Sequence, residues 1–219
     1  MTPPTKQSIT AVILAGGLGI RMGGVDKGLQ LFNGTPLAQH ALQRLQPQAS
    51  TILINANRNA AEYEAFGVPV WADDTRLGEF AGPLAGVATA LQHCQTPYLL
   101  TVPCDAPWFP ADLAVRLSAA LVQHDADIAV VSAPEFDGSS QIGEPGEDHR
   151  ACRLQPVFSL MRASVLPGLL AYLESGGRKV STWMAQNRTI PVPFNLPGDA
   201  AHTFFNANTA AQLKHSEDM

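Results

Sequence analysis

The stretch from Thr10 to Leu29, TAVILAGGLGIRMGGVDKGL, constrains this chain more than any other. Apolar residues Ala11, Val12, Ile13 and Leu14 run straight into Gly16, Gly17, Gly19, Gly23 and Gly24, with Arg21, Asp26 and Lys27 set among them. A short, partly β-branched apolar run bounded by glycines reads as a buried strand. Glycine accepts positive φ and lets the backbone approach a ligand closely. Consecutive N–H groups can therefore point at phosphate oxygens while Arg21 and Lys27 supply cationic heads.

Two common nucleotide signatures fail here on named residues. A phosphate loop of the GxxxxGK[ST] type needs a Gly-Lys pair, which the stretch lacks. The dinucleotide pattern GxGxxG is met at Gly17 and Gly19 but has Met22 at its third glycine. The second predicted strand, moreover, ends in Asn55 where an acidic ribose ligand belongs.

Further along, the signals alternate. Leu29 to Phe32 reads as a short extended segment turned by Asn33-Gly34. Thr35 is an N-cap candidate with Pro36 at the first helical position of a helix reaching Leu45. Strand patterns at Thr51–Ile54, Val68–Trp71, Tyr98–Val102, Ile128–Ser132 and Pro156–Met161 alternate with helical patterns at Asn59–Phe66, Pro83–His93, Pro110–His124, Ser164–Ser175 and Val180–Asn187. Tyr98–Val102 is apolar on both faces and so predicted central, whereas Ile190–Val192, flanked and interrupted by Pro191 and Pro193, is predicted at an edge. Residues 134–150 are polar and aperiodic and read as an exposed loop, and a last helix is expected near Thr209–His215.

Alternation of this kind predicts an α/β fold in one domain over residues 1–219: a doubly wound, mostly parallel, mixed sheet, Rossmann-like in character. Such sheets bind ligands at the carboxyl ends of their strands. There the sequence places the glycine loop, Asn55, Asp73 and Asp105.

Composition narrows the partners. At 46% hydrophobic and 15% charged the chain builds an ordered core, and a net charge of -5 gives no general attraction for nucleic acid. Cys94, Cys104 and Cys152 form no zinc or disulfide pattern, the N-terminal residues lack a secretory signature, and no run nears about 18 apolar residues. A cytoplasmic protein with no membrane partner is expected.

Asp105, flanked by Pro103 and Pro107, is a rigidly presented carboxylate suited to Mg²⁺, although a cap or solvated loop also explains it. Asp73 and Asn55 read equally as turn residues or ligands, and Asn206 and Asn208 as a helix cap or a same-side pair. Arg178-Lys179 reads as a solvated turn or a second anion site. The six histidines are dispersed and read as structural or surface groups.

LAGGLGIRMGGVDKG (Leu14–Gly28), NAN (Asn55–Asn57), the Asp73 region, GPLAG (Gly82–Gly86), PCD (Pro103–Asp105) and NANT (Asn206–Thr209) together resemble the molybdenum cofactor guanylyltransferases, in order along nearly the whole chain. The resemblance implies a nucleotidyltransferase fold and transfer of GMP from GTP to the terminal phosphate of the molybdenum-bearing molybdopterin, with Mg²⁺ as cofactor and pyrophosphate released. It implies that Leu14, Ala15, Gly16, Gly17, Lys27, Asn55, Asp73 and Gly82 bind substrate. Asp105 would hold the metal, and Asn206 and Asn208 would lie on the pterin side.

Residues 9–105 would form the GTP and Mg²⁺ half and residues 106–219 the pterin half. Transient contacts with cofactor-biosynthesis proteins and molybdoenzymes are further expectations. The attacking phosphate oxygen is already ionised at neutral pH, so Arg21, Lys27 and Asp105 suffice as catalytic groups without a general base. A sibling cytidylyl or sugar-phosphate transferase, or a non-catalytic nucleotide-binding module, remain the alternatives.

Overall fold

The computed structural model describes residues 2–17, 24–77, 82–134, 152–200 and 203–204. Among them, β1 (Ile9–Leu14), β4 (Thr51–Asn55), β5 (Val70–Trp71), β6 (Tyr98–Pro103), β7 (Ile128–Pro134), β8 (Cys152–Arg162) and β9 (Thr189–Pro193) form one sheet, ordered β5-β4-β1-β6-β8-β7-β9. A separate two-stranded ribbon joins β2 (Leu31–Phe32) to β3 (Thr35–Pro36). The pairs β4–β5, β1–β4, β1–β6 and β7–β9 are parallel, while β8 runs antiparallel to both β6 and β7. The sheet is therefore mixed and mostly parallel, and β6 is central, as its two-sided apolar pattern implies.

Helices cover both faces. Period-2 alternation sends Ile9, Ala11 and Ile13 of β1 to one core and Val12 to the other. The first core packs under α1 (Leu37–Leu45), α2 (Ala60–Glu64) and α4 (Leu113–Gln123), and the second under α3 (Pro83–His93), α5 (Leu166–Glu174) and α6 (Val180–Met184). Helix α3 approaches closely because Ala85, Gly86, Ala88 and Ala90 line it, all buried.

Three expectations change. Thr35 and Pro36 are not the cap and first turn of α1. They pair as β3 with Phe32 and Leu31 across a tight turn in which Asn33 and Gly34 have φ of 48° and 74°, and the helix begins at Leu37. Asn-Gly is a strong hairpin signal, and strand pairing here takes both residues that the cap pattern claimed. Leu29 lies in a 3-10 turn, Lys27–Leu29, rather than in an extended segment.

Strand β8 extends well before Pro156. The β7–β8 register slips between Val130↔Ser159 and Val131↔Gln155, so Pro156 falls in an irregular stretch where its missing N–H does no harm, and Thr101 Oγ1 donates to the Val157 carbonyl at 2.6 Å. Residues 135–150 of the predicted loop and the predicted helix at Thr209–His215 lie outside the described residues.

The outermost strand carries Pro191 and Pro193, both exposed. The Phe194 N–H reaches the Ser132 carbonyl on β7 at 2.8 Å, so by alternation the amide positions of residues 191 and 193 face away from the sheet.

Candidate active site

Register gathers the site. Leu14 pairs with Asn55 on one side and Pro103 on the other; the Ala15 N–H donates to the Asn55 carbonyl at 2.8 Å and the Cys104 N–H to the Leu14 carbonyl at 3.1 Å. Three parallel strands thus end level, and Leu14 to Gly17, Asn55 and Asp105 emerge at one edge.

Lys27 crosses to that edge and its Nζ donates to Asp105 Oδ2 at 3.1 Å, both side chains being mostly shielded from water. A charge-assisted contact in such surroundings is stronger than the same pair in solvent. Beside it, burial first and the Asp105 charge second push the Cys104 thiol well above its ordinary pKa, so it stays a neutral neighbour and no thiolate forms.

A second cluster lies along the same edge. Asn55 Nδ2 donates to Asp73 Oδ1 at 2.8 Å and to the Trp71 carbonyl at 3.1 Å. Asn57 Nδ2 donates to Asp73 Oδ2 at 2.8 Å, and the Asp73 N–H returns a bond to Asn57 Oδ1 at 2.8 Å. Two glycines make room for this network. A Cβ at Gly86 would stand 2.2 Å from Asn55 Oδ1, and one at Gly16 would stand 2.9 Å from Asn57 Nδ2. Gly82, with φ of 71°, turns the chain into α3, where Pro83 occupies the first turn.

Leu14, Ala15, Gly16, Gly17, Lys27, Asn55, Asp73 and Asp105 therefore converge at the sheet edge, whereas Arg21, Asn206 and Asn208 lie outside the described residues. Arg178 is engaged by the main chain: its Nη1 donates to the carbonyls of Leu173 and Gly177 and its Nη2 to that of Leu77, capping α5 and tethering the chain after Asp73. His40 bonds the Phe32 carbonyl and His93 stacks on Trp71 at 3.6 Å, in keeping with structural and surface roles.

Residue-by-residue reading of the sequence gives no role to four participants, Asp26, Asn57, Arg58 and Tyr63, although Asp26 and Asn57 fall inside the stretches it quotes. Asp26 is buried and accepts from the Tyr63 hydroxyl at 2.5 Å, Asn59 Nδ2 at 2.9 Å and the Gly28 N–H at 3.2 Å. Burial, then Cys104 and the Asp26 hydrogen bond, raise the Tyr63 phenol far above its ordinary range, so it remains the donor. The available signal was a lone tyrosine in the otherwise short polar helix AAEYE and an arginine directly after NAN.

Comparisons with known proteins identify the family. A family profile described as "MobA-like NTP transferase domain" matches residues 11–190. Two proteins named molybdenum cofactor guanylyltransferase, from Acidovorax sp. (strain JS42) and Albidiferax ferrireducens, are each 53% identical over 214 residues; the alignment covers 96% of both chains in the first case and 97% in the second.

In structure the chain is similar to molybdopterin-guanine dinucleotide biosynthesis protein A from Archaeoglobus fulgidus, with a TM-score of 0.71 at 18% identity covering 96% of this chain and 97% of that one. It is also similar to 4-diphosphocytidyl-2C-methyl-D-erythritol synthase from Anaerococcus prevotii, with a TM-score of 0.71 at 13% identity covering 97% and 98%. Those two likenesses establish the fold. Relatives more than half identical along almost the entire chain establish more: the chain belongs to the molybdenum cofactor guanylyltransferases, within the MobA-like NTP transferase family.

Proposed function

We propose that this chain transfers GMP from GTP to the terminal phosphate of molybdenum-bearing molybdopterin and releases pyrophosphate. The observation that carries the reading is the Lys27–Asp105 contact at 3.1 Å, set at the carboxyl edge beside the end of β1. The nucleophile is an ionised phosphate oxygen, so the protein has to align in-line attack at the α-phosphorus and offset negative charge on the α-phosphate and the leaving pyrophosphate.

In this reading the backbone of Leu14, Ala15, Gly16 and Gly17 lies along the triphosphate and Lys27 supplies a fixed cation. Asn55 and Asp73, held by Asn57, orient the nucleoside, and Gly82 shapes the wall at the start of α3. Arg21 is assigned to the phosphates and Asn206 and Asn208 to the pterin side. Residues 9–105 then serve GTP and residues 106–219 the pterin.

Enzymes of this family generally use a divalent metal. We assign Mg²⁺ and Asp105 as its protein ligand. The donor set suits that ion: Asp105 is a buried carboxylate that would hold it, with substrate phosphates and waters supplying the remaining oxygen ligands. When bound, Mg²⁺ supplies charge neutralisation at the phosphates.

The test is nucleotide turnover with molybdenum-loaded molybdopterin and Mg²⁺, reading pyrophosphate and the dinucleotide product for GTP, CTP, ATP and UTP. Strong preference for GTP is expected. Preference for CTP would overturn the guanylyl assignment, and nucleotide binding without pyrophosphate release would point to a non-catalytic module. No helix among the described residues is long and apolar enough to cross a membrane.

A further inference from the structure

Arg58 and Asp26 carry no assigned role in the transfer, yet both reach the segment that leads to Lys27. Arg58 lies just beyond β4, in the loop leading to α2. Its Nη1 donates to the Gly24 carbonyl at 2.6 Å, and its Nη2 donates to the Val25 carbonyl at 3.0 Å and the Gly17 carbonyl at 3.3 Å. Gly17 and Gly24 flank residues 18–23, so one guanidinium joins the two ends of the glycine-rich stretch. Its Nε lies 3.7 Å from Asp26 Oδ2.

Asp26 in turn binds the Gly28 N–H, and Tyr63 and Asn59 hold its carboxylate in place. The residues on both sides of Lys27 are thus fixed by one buried anion. Gly28 is required for the same reason: a Cβ there would stand 2.3 Å from the Tyr63 hydroxyl oxygen.

We propose that Arg58 and Asp26 are positioning residues for nucleotide binding. Arg58 staples the two ends of the phosphate loop, and Asp26, locked by Tyr63, sets the backbone from which Lys27 reaches Asp105. The geometry suits a guanidinium, because two nitrogens of one rigid fork reach three carbonyls at once, whereas an ammonium offers a point charge on a flexible stem. Arg58 donates to main-chain carbonyls and faces Asp26, so its effect on nucleotide passes through the backbone at Gly17, Gly24 and Val25. What Lys27 then does rests on the reading proposed above; the staple itself rests on the contacts.

The decisive variant is Arg58→Lys, which keeps the charge and loses the fork, with Tyr63→Phe as a milder loosening of Asp26. The steady-state KM for GTP is expected to rise about tenfold in Arg58→Lys, the effect of losing a hydrogen bond or two from a charged donor, and by less in Tyr63→Phe. KM for the pterin should change less than about twofold, which a general loss of folding would not produce. Amide exchange across Gly24–Gly28 in the nucleotide-free proteins should quicken about tenfold in Arg58→Lys.

Wild-type GTP affinity together with wild-type exchange in Arg58→Lys would overturn the proposal. The binding comparison uses whichever of GTP, CTP, ATP or UTP the wild-type protein prefers. A wild-type preference for CTP therefore counts against guanylyl transfer, while the exchange rates still decide the staple.

Discussion

Two clusters of arginine and aspartate sit at opposite ends of the strands, and the one with the better ion pairs is the less consequential. At the amino ends of β7 and β9, Arg188 grips Asp127 with two bonds of 2.9 and 3.0 Å and Asp125 with one of 2.6 Å, while Arg162 reaches Asp125 at 3.3 Å. At the carboxyl end, Asp26 and Arg58 approach only to 3.7 Å. The side chains of Arg188 and Asp125 are 59% and 58% exposed, however, against 6% for Asp26.

Water competes for every bond of the far cluster and solvates whichever partner remains when the other is removed. Near the site, removing Asp26 strands a buried phenol and a buried backbone N–H with no replacement, and only the Asn59 amide is left within reach of water. The difference teaches that a charged group matters through what its loss leaves unpaired, more than through the shortness of its contacts.

The largest effect should come from Asp105→Ala. If the carboxyl edge is the chemical end of the molecule, transfer falls by about a thousandfold while the melting temperature stays near wild type. Unchanged turnover at saturating Mg²⁺ would remove Asp105 from the mechanism. Asp26→Ala comes next, and here stability is the readout: loss of about 3–5 kcal/mol, or roughly 10 °C in Tm, follows from stranding two buried donors and emptying a buried anion site. A shift as small as that of a surface variant would erase the contrast between the clusters.

Gly86→Ala tests the site from beneath. The new methyl would collide with Asn55 Oδ1, so nucleotide affinity should fall by about tenfold, with a loss of about 1–3 kcal/mol in stability. Titration calorimetry and thermal melts separate the two. Arg188→Ala should lower Tm by about 2 °C or less and leave turnover unchanged.

The smallest effect is a pH dependence. The Arg188 hydrogen bonds hold the Asp127 carboxyl below its ordinary pKa, so its contribution is present above that ordinary value and fades as the pH falls through the depressed one. The Tm difference between wild type and Asp127→Asn should therefore be constant near neutrality and shrink below about pH 3.8. A difference that grew on acidification would contradict the sign.

Most of the architecture was legible because its signals are local. Apolar runs mark β1, β4 and β6, Pro83 marks the start of α3, and Asn33-Gly34 marks a turn. Thr35-Pro36 misled because one dipeptide satisfies two local patterns and only pairing with Leu31 and Phe32 decides between them.

The long β8 was underread because its first half is paired to β7 alone and half exposed, with Leu154 open to solvent, so no strong alternation marks it. Of the site, Lys27 stood out as a cation among glycines, and Asn55, Asp73 and Asp105 as polar residues just beyond apolar runs. The partnership of Asp26 with Arg58 and Tyr63 did not. Their meaning is a meeting across more than thirty residues of chain, brought about by β4 packing beside β1, and no window of sequence contains it.

The outermost strand of the sheet has a consequence for how the protein behaves in a crowded solution. An open strand edge ordinarily presents a row of N–H donors on which another chain can add a strand, the first step of edge-to-edge aggregation. On β9 alternation turns the amide positions of residues 189, 191 and 193 outward, and the last two are proline. Among the described residues no strand covers that side. The sheet is closed there by chemistry: two missing hydrogens make the last strand a poor template for a neighbour.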